Sequence, residues 1–207
     1  SVVLTDHHLL REDGVLPPAD IIVNPSAVGE ADYLHYCGAG LAYKICELLP
    51  LSDSTKKKLL SLACIATVAD IVPLTGDNRQ IVKEGLKTLI DPSGTTTGLK
   101  ALLQVCKLGE NLTEKDIGFK IGPCINAAGR MSDDGASFAF EVLSFIGNED
   151  KAYKLAGTLN NINTERKTTK EVGLLEIEAF IEENHLFDEC PICVYKPGLH
   201  EGIVGIY

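Results

Sequence analysis

The sequence predicts an α/β protein that becomes mostly helical after residue 38. Three observations carry that reading. Two short β-branched runs, residues 2–5 and 21–23, lie near the start and are bounded by turn residues. From Gly40 onward, apolar residues recur at helical spacing and are punctuated by Pro and Gly. From Asn148 to about Asn184 there is no proline, and Glu, Lys, Leu and Ala dominate.

The two β-branched runs read as short buried strands, with Gly14 and Pro17-Pro18 marking the loop between them. A helix over 40–49 carries Leu41, Ile45, Leu48 and Leu49 and stops at Pro50. Ser52 or Asp53 caps the next helix, which runs through Lys56, Lys57 and Lys58 into Leu59, Leu60, Leu62 and Ile65. Asp77 caps a helix over 80–89, ended by Asp91-Pro92. Residues 98–108 form another, stopped at Gly109. Thr113-Glu114-Lys115-Asp116 has capping chemistry, and 134–146 is amphipathic. A continuous helix over 148–184 would extend about 50 Å at 1.5 Å per residue. Only Gly157 and Gly173 weaken it, by about 1 kcal/mol each. It is longer than a small domain and holds no sustained heptad, so it reads as a connector. Residues 191–195 and 203–206 then read as strands. The division is a first domain over 1–147, a connector helix over 148–184 and the start of a second domain over 185–207.

With 207 residues, 45% of them hydrophobic, the chain can build one good core and part of another. No apolar stretch reaches the roughly 18 residues that span a bilayer, and no basic-then-apolar start marks a signal peptide. Membrane function is not expected. The seven cysteines are scattered through apolar stretches, which fits reduced, buried thiols in the cytoplasm. The one CxxC, Cys190 to Cys193, has no second pair and sits at a strand-like start, so a structural zinc is disfavoured. Acidic residues outnumber basic ones 29 to 19, for a net charge of −10. That excludes tight non-specific nucleic-acid binding by this chain alone. Either the acidic groups partly serve a metal, or the grip on nucleic acid lies outside the chain.

The densest chemistry is Thr5-Asp6-His7-His8, directly after Val2-Val3-Leu4. A carboxylate and two imidazoles at the end of a strand suit a divalent ion such as Mn²⁺, Mg²⁺ or Zn²⁺. The plainer reading is a surface turn with two solvated histidines. Asp70 is the one charged group between the apolar runs 63–69 and 71–74. A lone carboxylate there needs a cation or a hydrogen-bond shell, and a helix C-terminus disfavours it. Asn126 and Arg130 lie among small residues that allow close approach to a ligand. Arg130 can hold a phosphate or, alternatively, close a loop by an ion pair. Asn163 and Arg166, three apart on the long helix, share a face that is either a binding face or simply solvated.

Thr5-Asp6-His7-His8 is followed in order by residues 9–25 (LLREDGVLPPADIIVNP), CGAG at 37–40 and ATVADIVPL at 66–74. DNR at 77–79, IGPCINAAGRM at 121–131, NINTER at 161–166 and HEGIVGI at 200–206 complete the series. The series resembles the DHH phosphoesterase superfamily and, within it, the RecJ family of single-strand-specific exonucleases, over essentially the whole chain. The resemblance implies the C-terminal part of a DHH-type parallel-sheet domain, a long connector helix and the first strands of a DHH-associated domain. It implies His7 and Asp70 as metal ligands, with Mn²⁺ or Mg²⁺ as cofactor. His8 would face the scissile phosphate, and Asp6 would orient an imidazole. Asn126, Arg130, Asn163, Arg166 and His200 would line the substrate phosphates. Cys124 and Leu199 depart from the family pattern, the first where a basic residue is frequent.

The activity implied is metal-dependent 5′-to-3′ hydrolysis of single-stranded DNA in cytoplasmic DNA repair and recombination. The alternatives are a DHH phosphoesterase on oligonucleotides, cyclic dinucleotides or pyrophosphate, and a non-catalytic interaction protein on the same scaffold. The family places further metal-binding aspartates before the DHH residues. The chain therefore reads as an internal fragment of a longer protein, inactive by itself.

Overall fold

The computed structural model describes residues 1–27, 35–188 and 191–207. β1 (Val3–Thr5) and β2 (Ile21–Val23) pair in parallel, with Val3 opposite Ile21, Leu4 opposite Ile22 and Thr5 opposite Val23. Both form where the sequence places them, but they are not buried. Val3 is 58% and Ile21 56% exposed. A parallel sheet is normally covered on both faces. Among the described residues these two strands have no further strand beside them.

The helices follow local signals in the sequence. α1 (Gly38–Glu47) starts two residues before the expected position and is capped by Cys37, whose Sγ accepts the Gly40 N–H. α2 (Asp53–Ala69) is capped by the Ser52 hydroxyl, which accepts the Thr55 N–H at 3.2 Å. α3 (Gly76–Ile90) begins earlier than expected, and Asp77 is not its cap. Asp77 lies inside the first turn, where the helix dipole favours a carboxylate. α4 (Thr97–Val105) is capped by Thr96, which accepts from the Leu99 N–H at 3.0 Å.

Thr113 and Asp116 form a reciprocal capping box. It opens a short turn, α5 (Glu114–Asp116), that continues through a π-helical turn over Ile117–Ile121 into α6 (Gly122–Met131). α7 (Gly135–Ser144) follows, and then α8 (Glu149–Glu183), whose cap Asn148 accepts the Lys151 N–H at 2.9 Å. The long helix thus matches its sequence expectation almost residue for residue.

α2 packs between α1 and α3, while α4, α6 and α7 gather around the first half of α8. Leu99, Leu102, Ile117, Ile121, Val142 and Leu159 are fully buried in that second group. Each such side chain contributes about 2 kcal/mol of transfer free energy. α8 inserts Ala152, Ala156, Leu159 and Asn163 into the core, but Val172 and Leu175 farther along are half or more exposed.

Residues 191–195 and 203–206 are not strands. The first stretch is non-helical without a ladder, and Val204–Ile206 is a 3-10 turn. A strand needs a hydrogen-bonding neighbour, and among the described residues none is beside them. Instead Ile203 is fully buried and the Tyr207 ring closes over Gly173 of α8. Cys37, Cys64 and Cys124 are buried free thiols, whereas Cys193 is exposed. Cys190, the other half of the CxxC, lies outside the described residues. Among the described residues no helix is long and apolar enough to cross a membrane.

Candidate metal centre and phosphate face

The Asp6 N–H donates to the Val23 carbonyl at 3.1 Å, so the β1–β2 pairing carries on into Asp6. One oxygen of Asp6 then organises the two histidines after it. Oδ1 accepts the His7 N–H at 2.8 Å, the His8 N–H at 3.3 Å and His8 Nδ1 at 2.7 Å. The His8 side-chain bond, above all, holds the Asp6 carboxyl below its usual pKa. With Nδ1 committed to Asp6, Nε2 is the His8 nitrogen left to face a ligand. The His7 and His8 rings are tilted by 37° with centroids 4.4 Å apart. Ligand atoms of Asp6, His7 and His8 all lie within 4.8 Å of one another. Asn24, at the end of β2 and only 5% exposed, donates from Nδ2 to the His8 carbonyl at 3.1 Å. The second strand therefore holds the loop that leaves the first.

His7 lies over the start of α1: a methyl group on Gly38 would stand 3.5 Å from His7 Cδ2. One residue earlier, Cys37 Sγ meets Thr67 Oγ1 of α2 at 3.5 Å. Asp70, three residues after Thr67, is the C-terminal cap of α2. Its N–H bonds to the Ala66 carbonyl at 2.9 Å. The expectation of a carboxylate enclosed by apolar neighbours does not hold, because Asp70 is exposed. Its position at the negative end of α2 still disfavours a bare carboxylate. Asp70 does not join the three-residue cluster of ligand atoms. The next residue, Ile71, has φ +58°, a left-handed conformation that β-branched residues rarely adopt.

Asn78 was not singled out in the sequence as a functional residue, and it sits beside the same region. It is fully buried in the first turns of α3, and its Nδ2 donates to the carbonyls of His35 at 2.7 Å and Pro73 at 3.0 Å. Its only sequence signal was its place in the DNR motif. Asn24 and Gly38 were likewise unforeseen.

The donor set of Asp6, His7 and His8, one carboxylate oxygen and two imidazole nitrogens, fits part of a divalent first-row metal shell. Three atoms fall short of the roughly six that an octahedral ion takes.

The expected phosphate contacts lie on α6, α8 and the segment after residue 199, and Asn126 lines a pocket with Ala39 and Ala69. Asn126 and Arg130 are four apart on α6, with Asn126 exposed and Arg130 half-buried. Arg130 Nη1 donates to the Gly202 carbonyl at 3.2 Å. Gly202 approaches so closely that a Cβ there would stand 1.9 Å from the Arg130 carbonyl oxygen. These contacts dock the HEGIVGI segment on the end of α6, and within it His200 Nδ1 accepts the Gly202 N–H at 3.2 Å. On α8, Asn163 is 5% exposed and its Oδ1 accepts from Arg166 Nη2 at 3.0 Å. Arg166 Nε is buried and has no hydrogen-bond partner among the described residues. Neither Arg130 nor Arg166 pairs with a carboxylate among the described residues. Cys124 is fully buried, so its thiol reaches no ligand.

No family model matches the chain. The single-stranded-DNA-specific exonuclease RecJ of Haemophilus influenzae is 37% identical over 225 residues, covering 99% of this chain and 37% of that protein. RecJ of Bacillus subtilis is 34% identical over 213 residues, covering all of this chain and 25% of that protein. Among solved structures, RecJ of Thermus thermophilus in complex with Mn²⁺ aligns with a TM-score of 0.77 at 28% identity. That match covers 99% of this chain and 30% of that one. A manganese-bound exonuclease RecJ gives a TM-score of 0.78 at 30% identity, covering 99% of this chain and 50% of that one. The chain spans well under half the length of these curated relatives. The likeness nonetheless runs through the whole chain in both sequence and mostly helical α/β fold, so the chain is similar from end to end to a part of RecJ.

Proposed function

We propose that this chain supplies the DHH-bearing part of a metal-dependent 5′-to-3′ single-stranded-DNA exonuclease that works in cytoplasmic DNA repair and recombination. The observation that carries the reading is the gathering of Asp6, His7 and His8 ligand atoms within 4.8 Å, on a chain that matches manganese-bound RecJ structures throughout. His7 and Asp70 hold Mn²⁺ or Mg²⁺. Asp6 accepts from His8 Nδ1 and turns His8 Nε2 toward the scissile phosphate. A divalent cation there supplies charge that polarises the phosphodiester and acidifies the attacking water.

Arg130 and Arg166, free of carboxylate partners among the described residues, hold phosphates together with Asn126, Asn163 and His200. The exposed second half of α8 serves as the connector to the unit begun by 185–207. The ligand atoms gathered here are too few for a two-metal centre, so the isolated chain is expected to be inactive.

The test is degradation of 5′-labelled single-stranded DNA in Mn²⁺ by a protein carrying this chain within a RecJ-length sequence. Activity that disappears in His7→Ala supports the reading. No activity in the intact protein, or activity indifferent to His7→Ala, overturns it.

A further inference from the structure

Asn78 ties together two segments that flank the proposed ligands. His35, whose carbonyl it holds at 2.7 Å, stands three residues before Gly38, and Gly38 abuts the His7 ring. Pro73, whose carbonyl it holds at 3.0 Å, stands three residues after Asp70. Both carbonyls belong to irregular chain, one entering α1 and the other leaving α2. We infer that Asn78 is a positioning residue for the metal centre, its buried amide setting the spacing between the His7 side and the Asp70 side. The inference rests on the assignment of His7 and Asp70 as ligands made above.

The chemistry of the side chain suits this task. A primary amide places two N–H donors on one nitrogen without a charge, so it can bridge two carbonyls from a buried position where a lysine would strand a cation. The bridge is not a helix cap. Thr75 is the capping residue of α3, and the Asn78 amide leaves its own helix to reach the two outside segments. Its Oδ1 is buried and has no hydrogen-bond partner among the described residues. An amide turned the other way would set that oxygen against two carbonyl oxygens. The amide thus commits both donors to the bridge and leaves its acceptor unmet.

The region it braces needs support. The stretch after Asp70 opens with the left-handed Ile71, a conformation that is strained for a β-branched residue. A neighbouring contact strengthens the tie, because the Tyr36 hydroxyl donates to the Asp77 carboxylate. On the far side, Cys37 and Thr67 link α1 to α2 directly. Removing the amide bridge therefore leaves α1 attached to α2 but frees the loop that follows Asp70. The expected result is looser metal binding in a protein that still folds.

The experiment measures Mn²⁺ uptake by this chain from the electron paramagnetic resonance signal of free Mn²⁺, with thermal melting followed in parallel. Asn78→Asp keeps the shape and replaces the nitrogen that carries both donors with an acceptor oxygen. Asn78→Ser keeps one donor. Wild type should take up Mn²⁺ and His7→Ala should not. Asn78→Asp should melt cooperatively and bind at least about tenfold more weakly, the lower end of the loss seen when groups behind metal ligands are removed. Asn78→Ser should fall between the two. Wild-type affinity in a folded Asn78→Asp protein overturns the positioning role and leaves the metal centre standing. No uptake by wild type, or uptake unchanged in His7→Ala, overturns the metal centre and this inference with it. If Asn78→Asp does not fold, Asn78→Ser decides: reduced affinity in a folded protein supports the inference, and wild-type affinity overturns it. Loss of folding in both variants makes Asn78 a residue of the fold alone and overturns the inference.

Discussion

Asp6 Oδ1 and His8 Nδ1 stand 2.7 Å apart, and that bond decides which nitrogen of His8 is left to face a ligand. It also holds the Asp6 carboxyl below its usual range. A lowered folded-state pKa means the pairing contributes stability above the unfolded value of about 3.9, lost as the pH falls through the lower folded value. Carbon-detected NMR titration should find Asp6 titrating below ordinary aspartates. His8→Ala should return it toward the ordinary value. An Asp6 titration unaltered by His8→Ala would contradict the arrangement.

Gly202 touches the Arg130 backbone more closely than any other residue type could. Gly202→Ala should push the HEGIVGI segment off α6 and break the Arg130 hydrogen bond to the Gly202 carbonyl. The overpacking should cost about 1–3 kcal/mol. Chemical denaturation should register the loss, and limited proteolysis should show earlier cleavage after residue 198. Equal resistance in variant and wild type would argue that this segment does not dock there.

Asp116 closes the capping box with Thr113 and pairs with Lys120 at 2.8 Å, contacts that pull its pKa down to about 2. Lys120 is the largest cause. The sign is that of a depressed carboxylate. Its contribution is present above the unfolded value of about 3.9 and fades as the pH falls through about 2. Wild type should therefore lose stability between those limits, and Asp116→Asn should lose less across the same window. Denaturation midpoints measured at steps of pH between them check this directly.

Much of the helical frame was legible because its signals are local. Ser52 and the Thr113–Asp116 box cap where the sequence places them. The long helix required only the absence of proline and a run of good helix formers. α6 was not read as a helix, since Gly122, Pro123 and Gly129 look locally like breakers; in the fold it packs on α7 and α8. The expected strands at 191–195 and 203–206 failed because a β-branched run says nothing about whether a partner lies beside it.

At the site, adjacency made Asp6, His7 and His8 visible, and helical spacing made Asn163 with Arg166 visible. The tie between Arg130 and Gly202 crosses 72 positions, and the two bonds of Asn78 reach chain segments on either side of α1 and α2. No local pattern encodes such contacts.

The central claim is that His7 and Asp70 share one cation. The direct measurement is Mn²⁺ titration of the isotope-labelled chain, watching which backbone amides broaden first by paramagnetic relaxation. The account predicts that amides of residues 6–8 and of residues 69–71 broaden together at the lowest Mn²⁺ level, with overall affinity weaker than about micromolar. Broadening confined to residues 6–8, with 69–71 sharp at the same level, would contradict it.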